Sequence, residues 1–189
     1  ERHCPTDAIK VTPGVMPGYV PPCGTACPAG TDVQGYIALA GVGRYEDAYR
    51  LIRQSNPFPS VCGRICNHPC QAACNRNDLD ESVGIRDIKR FVADKAFENG
   101  MPVVEKKRKS NGKKIAVIGA GPSGLSCAYY LQLSGYSVEV FESESVAGGV
   151  LAYGIPEYRL PKAVLNRDIQ AIEATGVQIH LNTTVGEDV

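Results

Sequence analysis

The sequence predicts an α/β chain in two parts, a helical cysteine-rich part followed by the opening of a Rossmann-like dinucleotide-binding domain. Two observations carry this. Lys114 to Glu142, KIAVIGAGPSGLSCAYYLQLSGYSVEVFE, reads in order as strand, glycine turn, helix, strand and acidic stop, which is a nucleotide-binding βαβ unit. Seven of the eight cysteines fall before residue 75, among segments that carry helix-start and helix-stop signals. The expected organisation is a short opening segment and linker over 1–18, a helical domain over 19–109 and the first part of the nucleotide-binding domain over 110–189. The join falls around Met101 to Lys113, where the basic run Lys106 to Lys109 reads as a solvated linker.

Each part of the βαβ unit has a physical task. Ile115 to Ile118 is an apolar, β-branched run short enough for a buried parallel strand. Gly119 permits the tight turn, Gly121 lets the backbone approach a pyrophosphate, and Gly124 allows the helix to pack closely on the strand. Pro122 suits the first helical turn, where its missing N–H costs nothing, and the helix N-terminus that includes Ser123 offers partial positive charge to phosphates. Leu125, Ala128, Tyr129 and Leu131 to Leu133 give the apolar face, and Gly135 ends the helix. Cys127 is read as one of the small residues packed on the sheet. Val138 to Phe141 is the second strand, and Glu142 follows Gly124 by 18 residues, where a carboxylate can bond an unphosphorylated ribose.

The preceding half reads as helices. Thr31 and Gln34 form a capping box for a helix through Leu39. A second helix runs from about Arg44 to Gln54 and is closed by Asn56-Pro57. Ser82 caps a third, with Ile85, Ile88, Val92 and Ala96 in one apolar stripe before Asn99-Gly100. After the βαβ unit, a helix over Pro161 to Thr175 and a strand over Val177 to Leu181 complete the pattern.

Composition excludes several classes. With 20 basic and 20 acidic residues the net charge is zero, so there is no electrostatic footprint for nucleic acid or an anionic membrane. No apolar run approaches a membrane span and no signal-peptide pattern opens the chain, which implies a soluble, cytoplasmic protein. The chain opens on Glu1 rather than Met and stops without a second glycine motif, so a piece of a larger polypeptide is expected.

The cysteines are Cys4, Cys23, Cys27, Cys62, Cys66, Cys70, Cys74 and Cys127. Beside a Rossmann unit without a secretion signal, disulfides explain them less well than thiolate ligation. The spacings C-x3-C-P at Cys23 and Cys27 and C-x3-C-x3-C-x3-C from Cys62 to Cys74 suit structural zinc, with His68 as a nitrogen ligand, or an iron–sulfur centre fed by separate segments. Cys62, between Val61 and a glycine, reads as a buried apolar thiol.

Gly148 and Gly149 close a loop after Glu142, and VLAYGIPEYRLPKAVL follows. This segment resembles the flavin-binding half of the glutamate synthase small subunit and its relatives, which include the flavin module of dihydropyrimidine dehydrogenase. The runs PPCGTACPAGTDVQGYI, GRYEDAYRLIRQSNPFP and VCGRICNHPCQAAC resemble the helical iron–sulfur domain of the same family, so the likeness covers nearly the whole chain from Pro22 onward. Cys4-Pro5-Thr6-Asp7-Ala8-Ile9 resembles the close of a bacterial ferredoxin cassette. The resemblance implies FAD on Gly119, Gly121, Pro122, Ser123, Gly124, Glu142, Gly149, Leu151 and Arg159, with Tyr153 a further candidate.

The family's helical domain usually holds two 4Fe-4S clusters. One uses positions matching Cys27, Cys66 and Cys70 with a fourth ligand, often not cysteine, from the next helix. The other uses positions matching Cys23 and Cys74 with an upstream C-x2-C pair. This chain departs twice, having no thiolate near Val15 and Gly18 and having Lys89 where the helix ligand is expected. A single 4Fe-4S cluster drawn from Cys23, Cys27, Cys66, Cys70 and Cys74 is therefore expected, and a scaffold that has lost its metal is the alternative.

In the intact protein the resemblance implies an NAD(P)H-dependent oxidoreductase. A hydride passes to FAD and electrons leave one at a time through iron–sulfur centres to a partner subunit or domain. No protein acid or base is expected to be catalytic, and the chain without a nicotinamide domain is expected to be inactive by itself. Two other classes fit the residues: a metal-free or zinc-binding module that docks a partner subunit, and a dehydrogenase that uses the glycine motif for NAD.

Overall fold

The computed structural model describes residues 21–100 and 107–188. The ferredoxin-like opening, the positions of the expected upstream cysteine pair and the first part of the linker lie outside the described residues.

The helical half is built from α1 (Pro22–Thr25), α2 (Val33–Gly41), α3 (Tyr45–Arg53), α4 (Pro59–Ile65), α5 (Pro69–Ala72), a 3-10 turn (Asn75–Asp78) and α6 (Ile85–Glu98). The three short helices that carry cysteines each begin with proline, which fits the first turn because no donor is needed there. Two caps differ from the sequence reading. Asp32, not Thr31, caps α2, its carboxylate accepting the Gly35 N–H at 2.8 Å, because a carboxylate at this position also complements the helix dipole. Gly84, not Ser82, precedes α6, the chain turning so that Ile85 N–H bonds the Val83 carbonyl. The expected stripe of α6 does face inward. Ile85, Val92 and Ala96 are buried with Tyr36, Tyr49 and Ile52, and Ile88 packs against them.

The second half runs β1 (Lys114–Ile118), α7 (Pro122–Leu133), β2 (Ser137–Phe141), α8 (Val150–Tyr153), α9 (Lys162–Glu173) and β3 (Gln178–His180). The strands form a parallel sheet in the order β1-β2-β3, with Ile115 opposite Val138 and Val140 opposite Ile179. That is the first half of a doubly wound sheet. β1 is less buried than its apolar sequence suggests, with Ile118 73% exposed, because it is the edge strand among the described residues. Cys127 likewise differs. It lies on the exposed face of α7, while Leu125, Ala128 and Tyr129 take the inner face.

The two halves share packing. Phe58 and Val61 from the helical half belong to the same buried cluster as Leu125, Val140, Leu160 and Leu165. Asp168 of α9, wholly buried, accepts the Val61 N–H at 2.9 Å. Arg53, also wholly buried, donates to the Ala171 carbonyl at 3.2 Å and lies 4.8 Å over the Tyr129 ring, whose hydroxyl donates back to the Arg53 carbonyl. A charge and its hydrogen bonds thus fix how α3 meets α7 and α9.

Candidate functional site

The glycine turn between β1 and α7 is a cradle with a defined opening. Gly119 has φ +92°, a conformation that side chains rarely adopt. A Cβ on Gly124 would land on the Gly119 carbonyl oxygen, so this glycine is required by helix–strand packing. Gly121 differs: its φ is −72°, and a Cβ there would meet nothing within 4 Å. Open space therefore lies over Gly121, as it does over Gly119. The first-turn N–H groups of Ser123 and Gly124 have no partner within the helix, and Pro122 contributes none.

Gly148 and Gly149 close over this turn from the other side. Gly148 N–H bonds the Ala120 carbonyl at 2.8 Å, and a Cβ on Gly149 would stand 3.0 Å from the Gly121 Cα. Gly149, with φ +51°, caps the short helix α8. Glu142 directly follows β2 beside the cradle. One carboxylate oxygen accepts the Ala120 N–H at 2.7 Å and the other the Glu144 N–H at 3.0 Å, so the acid is anchored to the turn it serves. The remaining candidates are placed differently. The Leu151 side chain is buried in the core, Tyr153 is exposed, and Arg159 lies on the seam beside Arg64, Arg86 and Arg90.

The cysteines form a second site. Cys70 belongs to the same buried cluster as Tyr36, and Cys23 packs against it. Burial raises the Tyr36 hydroxyl above its ordinary range, and negative charge on Cys70, Cys27, Cys23 or Cys66 would raise it further, so these sulfurs lie within electrostatic reach of one buried ring. Burial pushes the Cys27 thiol up, but the Thr31 N–H and hydroxyl, the Ala29 backbone and Lys89 outweigh it and leave this thiol lowered. Cys70 is raised by burial, with Lys89 opposing. The His68 N–H donates to the Cys66 sulfur at 3.3 Å, in a loop where His68 takes the left-handed region at φ 47°. Its Nδ1 lies 3.2 Å from the Cys66 carbonyl and 3.1 Å from Arg86 Nη1, which occupies one nitrogen of the candidate zinc ligand.

Cys23 and Cys74 both line an apolar cavity of about 410 Å³ between α1 and α2. Cys62 stands apart, packed against the core with its thiol raised by burial and its sulfur 3.7 Å from Asn56 Oδ1. Among the described residues no group of three or more Cys, His, Asp or Glu is gathered tightly enough for a single metal ion. The candidate thiols come from several segments, α1, the α4–α5 loop, α5 and the turn after it, as the ligands of a polynuclear cluster do. The N–H bond to Cys66 is the kind of contact that tunes such a centre.

The fold and the two sites define a dinucleotide-binding chain that carries a 4Fe-4S type of helical domain. Residues 15–101 match the family model of dihydropyrimidine dehydrogenase domain II, 4Fe-4S cluster, and residues 117–183 match that of an NAD(P)-binding Rossmann-like domain. The chain belongs to the family of the glutamate synthase small chain and the dihydropyrimidine dehydrogenase-like subunits. It is 45% identical to the NADP(+)-dependent formate dehydrogenase subunit beta of Moorella thermoacetica, over 92% of this chain and 27% of that protein. To the NADPH-Fe(3+) oxidoreductase subunit beta of Geobacter sulfurreducens it is 43% identical, over 90% and 26%. To the NADPH glutamate synthase small chain of Escherichia coli it is 40% identical, over 89% and 36%. The chain thus spans only 26% to 36% of these relatives' lengths.

Proposed function

We propose that this chain is the cluster-binding and FAD-binding part of an NAD(P)H-dependent oxidoreductase that delivers electrons to, or takes them from, a partner subunit in the cytoplasm. The observation that carries the reading is the pairing of an open cradle at Gly121 with the buried Cys70 and the half-buried Cys23, Cys27 and Cys66 within electrostatic reach of the buried Tyr36. The relatives' names support the electron-transfer role, each being a subunit or chain of an NADP(+)- or NADPH-linked enzyme. No helix of the described residues is long and apolar enough to cross a membrane.

In this reading the N-terminus of α7 and the backbone at Gly121 hold the pyrophosphate, Glu142 holds a ribose, and the pair Gly148-Gly149 closes the turn without side chains that would fill it. Bound FAD supplies the conversion between a hydride and single electrons. Cys27, Cys66 and Cys70, together with Cys23 or Cys74, hold one 4Fe-4S cluster. The protein's contribution is placement and charge, with no side chain acting as acid or base. The proposed division of the chain is an opening segment and linker over 1–18, the cluster domain over 19–109 and the flavin domain over 110–189.

Anaerobic reconstitution with iron, sulfide and FAD tests the reading. Flavin absorption peaks with a broad iron–sulfur shoulder are expected. A colourless protein that retains zinc, or one that binds NAD and neither iron nor flavin, would replace it by the docking module or the dehydrogenase respectively.

A further inference from the structure

Lys89 is an unusual residue for the place it occupies. It projects from the inner face of α6, is 7% exposed, and its ammonium lies 5.9 Å from the centroid of the buried Tyr36 ring. Its neighbours one turn away on α6 are Ile85, Arg86, Val92 and Ala93, none of them an acid. Among the described residues no ion pair joins Lys89 to any carboxylate. An ammonium buried in this way is destabilising unless an anion compensates it. The Tyr36 ring face offsets only part of that.

The anions within reach are sulfur. Cys70 is buried in the same cluster as the Tyr36 that Lys89 overlies, with Cys23 packed against it, and the charge of Lys89 reaches Cys27, Cys62 and Cys70. Neutral thiols do not offset an ammonium. Thiolates held on a metal cluster do, because ligation keeps them deprotonated.

We infer that Lys89 is the buried counter-charge of the cluster held by Cys27, Cys66 and Cys70, a positioning residue that stabilises the cluster's anionic charge without ligating iron. This rests on the cluster reading above. A cation beside the cluster favours the more negative, reduced form and so raises the midpoint potential. It also makes the empty site costly, since without the cluster the ammonium has lost its partner. Lys89 therefore couples cluster loading to the stability of the helical domain.

The test uses the full chain with Lys89→Met, which keeps the stem and removes the charge, and Lys89→Arg, which keeps the charge. Each is reconstituted anaerobically, and iron content, melting temperature with and without cluster, and the EPR-monitored midpoint potential are measured. For Lys89→Met the cluster-free protein should melt higher than its parent, the loaded protein should melt lower, and the potential should fall. Lys89→Arg should stay near the parent in potential. Shifts of the same sign in both loading states, or an unchanged potential in Lys89→Met, overturn the inference and leave the cluster reading standing. A parent protein that takes up no iron overturns both.

Discussion

Gly121 and Gly124 stand three residues apart in one turn, and the structure gives them opposite tolerances. Gly121→Ala adds a methyl group at a residue with φ −72° and no heavy atom within 4 Å of the new carbon. Its cost to the fold is that of alanine at a helix N-cap, about 1 kcal/mol, or about 2–4 °C in melting temperature for a chain of this size. In the proposed site the methyl group nevertheless enters the space assigned to the pyrophosphate. Losing two charge-assisted N–H bonds to phosphate at about 1.5–3 kcal/mol each weakens FAD binding by at least about 100-fold.

Gly124→Ala behaves differently because its methyl group meets the Gly119 carbonyl, a backbone atom that cannot swing aside. Overpacking at the top of the usual range, about 3 kcal/mol, lowers the melting temperature by about 6–12 °C. Thermal melts of both variants, with FAD titrated by the quenching of its fluorescence, separate the two roles. The reasoning fails if Gly121→Ala binds FAD as tightly as the parent, or if Gly124→Ala melts at the parent's temperature.

Three further outcomes are expected. Glu142→Ala should weaken FAD binding by about 1.5–3 kcal/mol, and because the Ala120 N–H loses its acceptor it should also melt lower, which Glu142→Gln should partly restore in the melt. Burial pushes Asp168 up to about 7, opposed by the Val61 N–H and the charge of Arg53. The folded state then holds a proton the unfolded chain has released, so its stability is full below about pH 4, falls by about 1.4 kcal/mol per unit towards pH 7 and levels off above. Urea midpoints should show this slope and Asp168→Asn should flatten it, while a parent whose stability climbs from pH 4 to 7 would contradict the assignment. After anaerobic reconstitution, Cys66→Ser should lose its iron and Cys62→Ser should keep the parent's content, since Cys66 lies within electrostatic reach of Tyr36 and takes the His68 N–H while Cys62 packs against the core.

The parts of the fold legible in the sequence are those with local causes. The glycine turn, the inner face of α7 and the stripe of α6 depend on residues within a few positions of one another, and periodicity shows them directly. The short helices at Pro22, Pro59 and Pro69 are harder to read, because four to seven residues carry no period and a proline alone does not tell a first turn from a loop. The burial of Arg53 had no local sign. It follows from the Ala171 carbonyl and the Tyr129 ring, partners 118 and 76 residues away in sequence.

Lys89 shows where the two kinds of information must be joined. Read along α6 alone, Lys89 is a charge set between Ile85 and Val92 on the apolar stripe, and read against the family it is a missing ligand. Only the packing of α6 on α2, which brings Tyr36 beneath it, makes its charge a constraint. A buried ammonium without a carboxylate implies an anion nearby, and the described residues around it offer sulfur. The departure from the family's ligand pattern is therefore compatible with a cluster, because a position that no longer donates electrons to iron still meets the charge that iron-bound thiolates create. On that argument the number of cysteines decides how the cluster is held, and Lys89 decides how readily it is reduced.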